Sequence, residues 1–480
     1  MIIPSQGKLT KDYLPSIGVG YVAASLERAN FEASIIDSHA ENLSDEETIE
    51  MAIKEGPDAV GINATSHNRF HAIAVARGIK RKSNGQIFVC VGGCHFSSTA
   101  QSILESVPEI DAVVRQEGEE TFPELLNHYF SKKPFDDVLG ITFRKNGGIV
   151  SNPPRPFIKN LDGLPLPAWH LFKLDKYEAK LEGEKNTKSI GIMSSRGCPN
   201  VCSFCASSNF WQRMLRRRSP EKFVDEIEFL NKKYGYRGFD FWDDTMTMVR
   251  EHIQKICQEI LKRKLDIVWY GRARVNTVDK EILALMRRAG CIAINFGVES
   301  GSPRILKNIQ KNITLEQVKK VVKTCVDLDY IIKLCFMYSL PGETLEDVRK
   351  TRDLMRELKF YGPNVDVISA FTLIYPGTEL EANAKRDGIL PQDFNWSTPV
   401  EFPLNIKVEA DPIIPLYEQK ELKSGEIWDY LTSARTRRME LVKSIPLAIN
   451  GIRNFEDLKY LLRRGIHYFE RRYIKHTKHI

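Results

Sequence analysis

The sequence predicts a mixed α/β protein with two successive series of alternating strands and helices, followed by a helical C-terminal region. Short apolar runs bounded by turn residues indicate strands, and the stretches between them space their apolar residues as helices do. A chain of 480 residues is too long for one hydrophobic core, which favours two or three domains. Its hydrophobic content of 42% and charged content of 27% are typical of globular proteins.

The first series spans residues 1–150, and helices such as those predicted at 17–30 and 67–82 separate its strands. This alternation favours a parallel sheet that helices cover on both faces. Ligands bind such sheets outside the carboxyl ends of the strands. The strands are predicted at residues 33–37, 58–63, 87–93 and 112–114.

Two proline-rich stretches, residues 152–156 and 164–167, cannot continue regular structure and predict a linker over residues 151–186. The second series occupies residues 187–395, and its six strand–helix repeats fit a partial or full parallel barrel. Residues 396–480 are predicted to be helical and basic. The strands of the second series are predicted at residues 189–194, 238–242, 267–271, 293–298, 333–338 and 367–373.

Composition argues against several classes of protein. The chain lacks a run of about 18 apolar residues, so we expect no membrane-spanning helix. The first residues lack the pattern of a signal peptide, and nine cysteines in a long chain without that signal argue against a disulfide framework. We therefore expect a cytoplasmic protein. The net charge of +7 is mild for this length and does not by itself point to a nucleic-acid partner.

Three of the cysteines are clustered in the sequence RGCPNVCSFC at residues 196–205, with the spacing Cys-x3-Cys-x2-Cys. Thiolates are soft ligands that favour iron–sulfur clusters or zinc. A structural zinc site needs a fourth ligand, and residues 206–222 contain no cysteine or histidine. Cys198, Cys202 and Cys205 therefore predict a cluster with one iron left open to a substrate or cofactor. A zinc site with a remote fourth ligand is the alternative.

The motif follows the first strand of the predicted barrel, at the end where β/α barrels carry their active sites. In sequence and placement it resembles the radical SAM superfamily, in which three cysteines hold a [4Fe–4S] cluster whose open iron binds S-adenosylmethionine (SAM). The resemblance implies that one electron from the cluster cleaves SAM to methionine and a 5′-deoxyadenosyl radical. It continues with FWDDT at residues 241–245, GCIAINFGVESG at 290–301, LPGET at 340–344 and YPGT at 375–378.

The resemblance also implies a set of SAM-binding residues. Glu299 is expected to accept hydrogen bonds from ribose hydroxyls or the SAM ammonium group, and Asp243 to take the ammonium. Arg274, after the third strand, is expected to reach a carboxylate or the substrate. Two glycines are expected to allow tight turns close to the ligand. The residues implied for SAM are Asp243, Arg274, Glu299, Ser300, Gly342 and Gly377.

Placed before such a core, the N-terminal sheet resembles the cobalamin-binding domain of the B12-dependent radical SAM class. The matching segments are LPSIGVGY at residues 14–21, IID at 35–37, VGGCH at 91–95 and QEGEET at 116–121. Glycines there are expected to let the backbone approach the corrin, and the helix that opens near residue 118 to offer amide groups to the cofactor's tail. The residues implied for cobalamin are Gly92, Gly93, His95, Gly118 and Glu119.

Two features depart from the pattern of cobalamin domains. The usual opening strand is reduced to the apolar start at residues 1–4. The segment DSH at residues 37–39 begins a motif whose histidine ligates cobalt in some relatives, but Asn42 stands where the motif has glycine. We therefore expect cobalamin without a protein histidine ligand. A degenerate sheet that no longer binds cobalamin is the alternative.

The resemblance implies a cobalamin-dependent radical SAM enzyme that methylates an unactivated carbon. Relatives with this layout include the anaerobic magnesium-protoporphyrin monomethyl ester cyclase, so radical oxidation or ring closure is a second hypothesis. A third, from another class, is a tRNA-binding modification protein. Basic stretches at residues 435–438 and 471–475 motivate it, although no RNA-binding module is recognisable.

The expected partners follow from the same resemblance. They are a small-molecule, lipid or tetrapyrrole-like substrate and an electron donor such as flavodoxin or ferredoxin. The basic, aromatic-bearing C-terminal helices also fit a peripheral contact with a membrane surface.

Overall fold

The computed structural model describes residues 1–6, 13–181, 184–399 and 414–433. It divides the chain into two compact units. The first comprises Met1–Arg272 and Leu373–Tyr417, and the second comprises Ala273–Thr372 and the described residues from Glu418 onward. The domain boundaries predicted near residues 150 and 395 lie inside the first unit and stay a prediction.

The first unit begins with a seven-stranded sheet in the order β2-β1-β3-β4-β5-β6-β7. The first five strands are parallel, and β6 and β7 run antiparallel to their neighbours. The opening strand has two residues, in agreement with the reduced apolar start. The strands are β1 Ile2–Ile3, β2 Ile36–Asp37, β3 Ala59–Asn63, β4 Phe88–Gly92, β5 Ala112–Val114, β6 Ile141–Lys145 and β7 Gly148–Ser151.

Five helices cover this sheet, and its two faces bury separate hydrophobic cores. On one face Ile49, Ile73 and Leu104 pack over the strands, and on the other Leu26 and Leu125 do so. Burial on both faces explains why these strands read as apolar runs rather than alternating patterns. The helices are α1 Ile17–Arg28, α2 Asp45–Glu55, α3 Arg69–Lys82, α4 Cys94–Ser106 and α5 Gly118–Phe130.

The β6–β7 hairpin was not predicted, although its turn carries a recognisable signal. Asn146 and Gly147 both adopt positive φ, of 51° and 78°. Asn-Gly is the pair that two-residue hairpin turns prefer, because both central residues need that conformation. The hairpin extends the sheet up to the start of the predicted linker.

The linker contains three short 3-10 turns, at Leu161–Gly163, Trp169–Leu171 and Leu174–Lys176. A second sheet follows, in which β9, β12 and β13 are parallel and β8 pairs antiparallel with β9. A separate two-stranded ribbon joins β10 to β11. The elements are β8 Lys180–Leu181, β9 Glu184–Ile192, β10 Ser195–Arg196, α6 Ala206–Phe210, β11 Arg216–Arg217, α7 Pro220–Tyr234, β12 Gly238–Phe241, α8 Arg250–Lys262 and β13 Val268–Ala273.

The second unit contains three parallel strands with amphipathic helices between them. The predicted strands at residues 293–298, 333–338 and 367–373 are all present. The elements are α9 Lys280–Arg288, β14 Cys291–Glu299, α10 Pro303–Asn308, α11 Leu315–Asp327, β15 Ile331–Tyr338, α12 Leu345–Lys359 and β16 Val365–Phe371, together with a 3-10 turn at Val275–Thr277.

Two helices complete the described chain. The helix α13, Glu379–Arg386, belongs to the first unit, and α14, Ser424–Thr432, to the second. The basic stretches 435–438 and 471–475 lie outside the described residues. Within the described ranges, no helix has the length and apolar character needed to cross a membrane.

Candidate functional site

The loop carrying the three cysteines leaves β10 through a glycine that no other residue could replace. Gly197 has a φ of +91°, and a Cβ there would lie 2.1 Å from the carbonyl oxygen of Met214. Both the positive φ and the close backbone approach require a residue without a side chain. The loop is therefore packed directly against the segment that precedes β11.

A buried carboxylate on the neighbouring strand holds the start of this loop. Asp243, fully buried after β12, accepts hydrogen bonds from the amide of Ser194 at 3.1 Å, from its hydroxyl at 2.6 Å and from the hydroxyl of Ser195. Burial raises the pKa of Asp243, and these hydrogen bonds oppose that rise. The described contacts of Asp243 are thus with the loop it anchors. A contact with the SAM ammonium stays a prediction.

Cys198 and Cys205 are partly exposed, whereas Cys202 is buried. Asn200 Nδ2 donates to Cys198 Sγ at 3.1 Å, and the amide of Cys205 donates to the carbonyl of Cys202 at 3.1 Å. Burial raises the pKa of Cys205 to about 11. A bound iron would reverse this shift, since metal ligation stabilises the thiolate. The far side of the loop is tied to α13, because Leu380 donates its amide to the carbonyl of Ser203 at 3.0 Å.

The donor set fits a cluster. All nine cysteines are free thiols, which agrees with the prediction that the chain has no disulfide framework. In the part of the chain that the structure describes, no three His, Cys, Asp or Glu side chains are grouped around a single ion position. In a cubane cluster each thiolate binds its own iron, and three cysteines on one loop can supply three such ligands.

In the second unit, the predicted SAM residue Glu299 ends β14 in an unusual conformation. Its φ is +71°, and the strand register shifts between Gly297 and Glu299. Its Oε1 accepts from Nζ of Lys311 at 2.7 Å, with both side chains less than 10% exposed. A Cβ on Gly297 would lie 2.3 Å from Glu299 Oε1, so this glycine leaves room for the ion pair. Backbone strain of this kind is typical of binding sites.

Arg274 belongs to the same cluster. Its guanidinium donates to the backbone carbonyl of Lys311 and, at 3.3 Å, to Oδ1 of Asn276. Arg274, Lys311 and Glu299 therefore form a continuous chain of contacts. Sequence reasoning missed Lys311, because its proximity to Glu299 depends on how the segment after α10 folds back.

The other residues predicted for SAM have local roles in the described structure. Ser300 is buried, and its hydroxyl contacts Thr351 Oγ1 at 3.1 Å. Gly342 has a φ of +71° in the turn after β15, and its amide donates to Gln419. Gly377, in the first unit, has a φ of +76°, and a Cβ there would lie 2.6 Å from Asn209 Nδ2. Both glycines occupy tight turns, and their approach to the ligand stays a prediction.

The first unit contains a partly open cavity of about 410 Å³ at the carboxyl ends of its N-terminal strands. Four of the five residues predicted for cobalamin line it, namely Gly92, Gly93, Gly118 and Glu119. Gly93 requires its glycine, since it has a φ of +97° and a Cβ would lie 2.6 Å from the carbonyl of Ala64. The lining also includes Met193 and Arg196 beside the cysteine loop, and the aromatic side chains of Phe210, Trp211 and Trp242.

The fifth predicted residue, His95, is not among the residues that line the cavity. It is buried beneath the sheet edge, with Nδ1 2.9 Å from the hydroxyl of Ser66 and its ring against Trp396. Burial, reinforced by the positive charge of Arg69, lowers the pKa of His95 to about 3, so the ring is neutral. His39 accepts from the amide of Gln6 at 3.3 Å.

Two family models match the chain. The Radical SAM superfamily model covers residues 192–355, and the B12 binding domain model covers residues 9–126. A protein of Pyrococcus horikoshii, named as an uncharacterized methyltransferase, is 36% identical over 385 residues, covering 80% of this chain and 81% of the relative. The chain belongs to the cobalamin-binding radical SAM family. It is a methyltransferase-like radical SAM enzyme whose cofactors are a [4Fe–4S] cluster, SAM and cobalamin.

Two further relatives of this chain, at lower sequence identity, have names that state a reaction. The cytidylyl-2-hydroxyethylphosphonate methyltransferase of Streptomyces wedmorensis is 27% identical, covering 78% of each chain. The anaerobic magnesium-protoporphyrin IX monomethyl ester cyclase of Rubrivivax gelatinosus is 29% identical, covering 81% of this chain and 70% of the cyclase.

Solved structures confirm the predicted fold. The radical enzyme OxsB, with aqua-cobalamin and SAM bound, matches with a TM-score of 0.71 at 18% identity, covering 98% of this chain and 71% of OxsB. The methyltransferase TsrM of Kitasatospora setae matches with a TM-score of 0.67 at 18% identity, covering 80% of this chain and 76% of TsrM. The chain thus has a Rossmann-like N-terminal domain before a partial (β/α)6 barrel.

Replacing Lys311 with Met is expected to lower the free energy of unfolding by about 3–5 kcal/mol, because Glu299 would stay buried without its counter-charge. Lys319→Met is the matched control. Its partner Glu357 lies 2.8 Å away, but both side chains are more than 30% exposed. Loss of such an exposed pair costs about 0–1 kcal/mol. Urea unfolding measures both, and equal losses would contradict the assigned burial of the Glu299–Lys311 pair.

Proposed function

We propose that this chain is a cobalamin-dependent radical SAM C-methyltransferase that acts on an unactivated carbon of a small molecule. One observation carries the proposal. The cavity at the glycine-rich end of the N-terminal sheet is also lined by Arg196, two residues before Cys198, within one compact unit. A substrate that reaches this cavity is therefore close to both cofactor-binding segments of the first unit.

Cys198, Cys202 and Cys205 would hold the cluster. When bound, the cluster supplies one electron for the reductive cleavage of SAM. The chain contributes a loop that Asp243 anchors at its start and that α13 ties at Ser203. These two anchors restrain the loop before the cluster binds, which is the preorganisation that a reactive site needs.

Glu299 is the central residue of the proposed SAM contacts in the second unit. In the second unit, Glu299 would accept from the ribose hydroxyls or the ammonium, and Lys311 holds its carboxylate in one orientation. Arg274 supports Lys311 through its backbone carbonyl. The proposed set of SAM-binding residues also includes Asp243, Ser300, Gly342 and Gly377.

Gly92, Gly93, Gly118 and Glu119 would hold cobalamin, which supplies the methyl group when bound. Their glycines leave backbone exposed to the cavity, as contact with a flat, bulky ring requires. The described positions of His95 and His39, each with a local hydrogen-bond partner, support binding without a protein histidine ligand.

Aromatic side chains on the barrel side of the cavity would exclude water from the reaction. Trp242 lies flat against Gly191, where a Cβ would come within 3.0 Å of its ring. Asp240 fixes the ring, since it accepts from the indole Nε1 at 2.6 Å. Phe210 and Trp211 extend this wall. A dry cavity protects a radical from side reactions.

This wall favours a planar or apolar substrate, and a lipid or tetrapyrrole-like molecule fits that description. Members of this family use an electron donor and act on small substrates. We propose flavodoxin or ferredoxin as the donor and the cytoplasm as the compartment. A peripheral contact with a membrane surface through the C-terminal residues stays part of the proposal.

Radical oxidation or ring closure is the second candidate, favoured by the similarity to the magnesium-protoporphyrin cyclase. Incubation of a candidate apolar substrate with SAM, a low-potential reductant and cobalamin separates the two reactions. Methyl transfer predicts conversion of SAM to S-adenosylhomocysteine alongside deoxyadenosine. Deoxyadenosine without S-adenosylhomocysteine would favour oxidation or cyclisation.

Replacing Cys202 with Ala is expected to abolish cluster assembly and reductive SAM cleavage, because a cubane held by two thiolates is not retained. Cys335→Ala is the control. Cys335 lies half-buried on β15, and its thiol donates a hydrogen bond to Asn295 Oδ1. Iron and sulfide content and deoxyadenosine formation are measured after anaerobic reconstitution. A Cys202→Ala protein that keeps its cluster and still cleaves SAM would overturn the proposal.

Replacing Gly18 with Trp is expected to abolish cobalamin binding without unfolding the protein. Gly18 lines the cavity, and a Cβ there meets no atom within 4 Å, so the new side chain enters the cavity. A glycine in a helix is also less favourable than most residues, by roughly 0.5–1 kcal/mol.

Gly425→Trp is the matched control, since Gly425 in α14 also has open space around its Cβ and does not line the cavity. Corrin absorbance of the purified protein and its melting temperature are compared. Full cobalamin retention by folded Gly18→Trp protein would contradict the assignment of this cavity.

A further inference from the structure

Four buried charged side chains meet between the cavity and the cysteine loop. Arg196 donates from one nitrogen to Glu117 Oε1 at 2.6 Å and from the other to Glu119 Oε1 at 2.6 Å. Arg216 donates to both carboxylate oxygens of Glu117, at 2.8 and 2.7 Å. Their side chains are between 4% and 6% exposed. Two positive and two negative groups balance, so the cluster is neutral as a whole.

The four residues come from the two segments that the proposed function assigns to different cofactors. Glu117 caps α5, whose first turn contains Glu119, and both line the cavity. Arg196 ends β10, two residues before Cys198, and pairs across the ribbon with Arg216. The charge cluster is therefore a direct contact between two segments. One is the cavity-lining segment 116–119 at the start of α5, and the other is the strand that leads into the cysteine loop.

The linker and aromatic rings hold the cluster in one geometry. Ile158 donates its amide to Glu117 at 2.8 Å, and its carbonyl accepts from Arg216 at 3.0 Å. The guanidinium of Arg196 lies 5.0 Å from the ring of Tyr21, and that of Arg216 lies 4.6 Å from the ring of Phe157. A planar guanidinium can stack on an aromatic ring while its rigid fork holds two carboxylates in fixed directions, a geometry that a lysine ammonium does not provide.

Stability alone does not account for a buried charge cluster at this place. Desolvating four charges is costly, and apolar residues of similar volume stabilise a core as well or better. The loop it holds is also strained, because Gln116 has a φ of +61° immediately before Glu117. Buried ion pairs and strained backbone at the edge of a ligand cavity indicate a functional constraint on geometry.

We propose that Arg196, with Glu117 and Glu119, is a positioning network that couples the cobalamin-facing loop to the cysteine loop. The coupling rests on the proposed function, since it assumes cobalamin in this cavity. Cobalamin contacts with residues 116–119 restrain both glutamates, and through them Arg196 and the start of the cysteine loop. The network thereby fixes the position of one cofactor-binding segment relative to the other.

The test uses the full chain without its cluster, with and without hydroxocobalamin, and follows amide hydrogen exchange in peptides covering residues 194–206. In the wild type, cobalamin is expected to slow exchange there at least about fivefold, the low end of coupling between two sites. Arg196→Lys keeps the charge and loses the two-pronged geometry, and Glu119→Gln keeps the shape and loses the charge. Each is expected to lose most of this protection.

Arg263→Lys is the matched control, because Arg263 also binds more than one carboxylate, here those of Asp225, Glu228 and Glu259, and does not line the cavity. It is expected to show the wild-type protection. Corrin absorbance of the same samples measures cobalamin binding separately. The coupling would be overturned if both network variants showed the wild-type protection. It would also be overturned if the wild type bound cobalamin and its cysteine loop stayed unprotected. A wild type that binds no cobalamin would overturn the proposed function together with the coupling.

If a variant no longer binds cobalamin, the reverse experiment tests the coupling in its place, because coupling between two sites is reciprocal. Cluster reconstitution without cobalamin is expected to slow exchange in peptides covering residues 115–123 of the wild type and not of Arg196→Lys. Equal slowing in both proteins would overturn the proposal.

Discussion

The cysteine loop depends on a carboxylate that solvent does not reach. Asp243 holds the backbone and hydroxyl of Ser194 and the hydroxyl of Ser195, so the strand β12 determines where the loop after β9 begins. A hydrogen bond to a charged group contributes about 1.5–3 kcal/mol, which is enough to fix a loop start. Gly197 then allows the loop to pass within contact of Met214. These constraints fix the start of the loop that carries all three thiols.

This dependence changes how the second strand motif is understood. Sequence reasoning treated Asp243 as a ligand for the SAM ammonium, because residues 241–245 resemble the family segment that lies near that group. Its described partners are protein groups. The adjacent Asp244 is more exposed, and it accepts from the amide of Gly197. The two neighbouring aspartates thus both support the cysteine loop, one from beneath and one from its exposed side.

Much of the fold was predictable because strands buried on both faces leave apolar runs, and a cofactor loop leaves a fixed spacing of ligands. All six strands of the second series were predicted within a few residues of their observed bounds. The hairpin β6–β7 was missed although Asn146-Gly147 signalled its turn. Lys311 and Arg196 could not be predicted as partners of Glu299, Glu117 and Glu119. Such pairs form only when segments far apart in sequence pack together.

His95 shows the limit of carrying a motif over by position. It lies beside two glycines that do line the cavity, yet its ring turns away to Ser66 and Trp396. Successive side chains in the first turn of α4 project in different directions around the helix axis, so adjacency in sequence does not place a residue in the cavity. The first compact unit combines a glycine-lined cavity, an aromatic wall and an anchored cysteine loop.

Electron paramagnetic resonance on the anaerobic protein carrying both cob(II)alamin and the reduced cluster tests this combination most directly. If both cofactors share the first unit as proposed, reducing the cluster should broaden or split the cob(II)alamin signal. The Cys202→Ala variant should give the unperturbed cob(II)alamin spectrum. Two independent, unperturbed spectra in the wild-type protein would contradict a shared site.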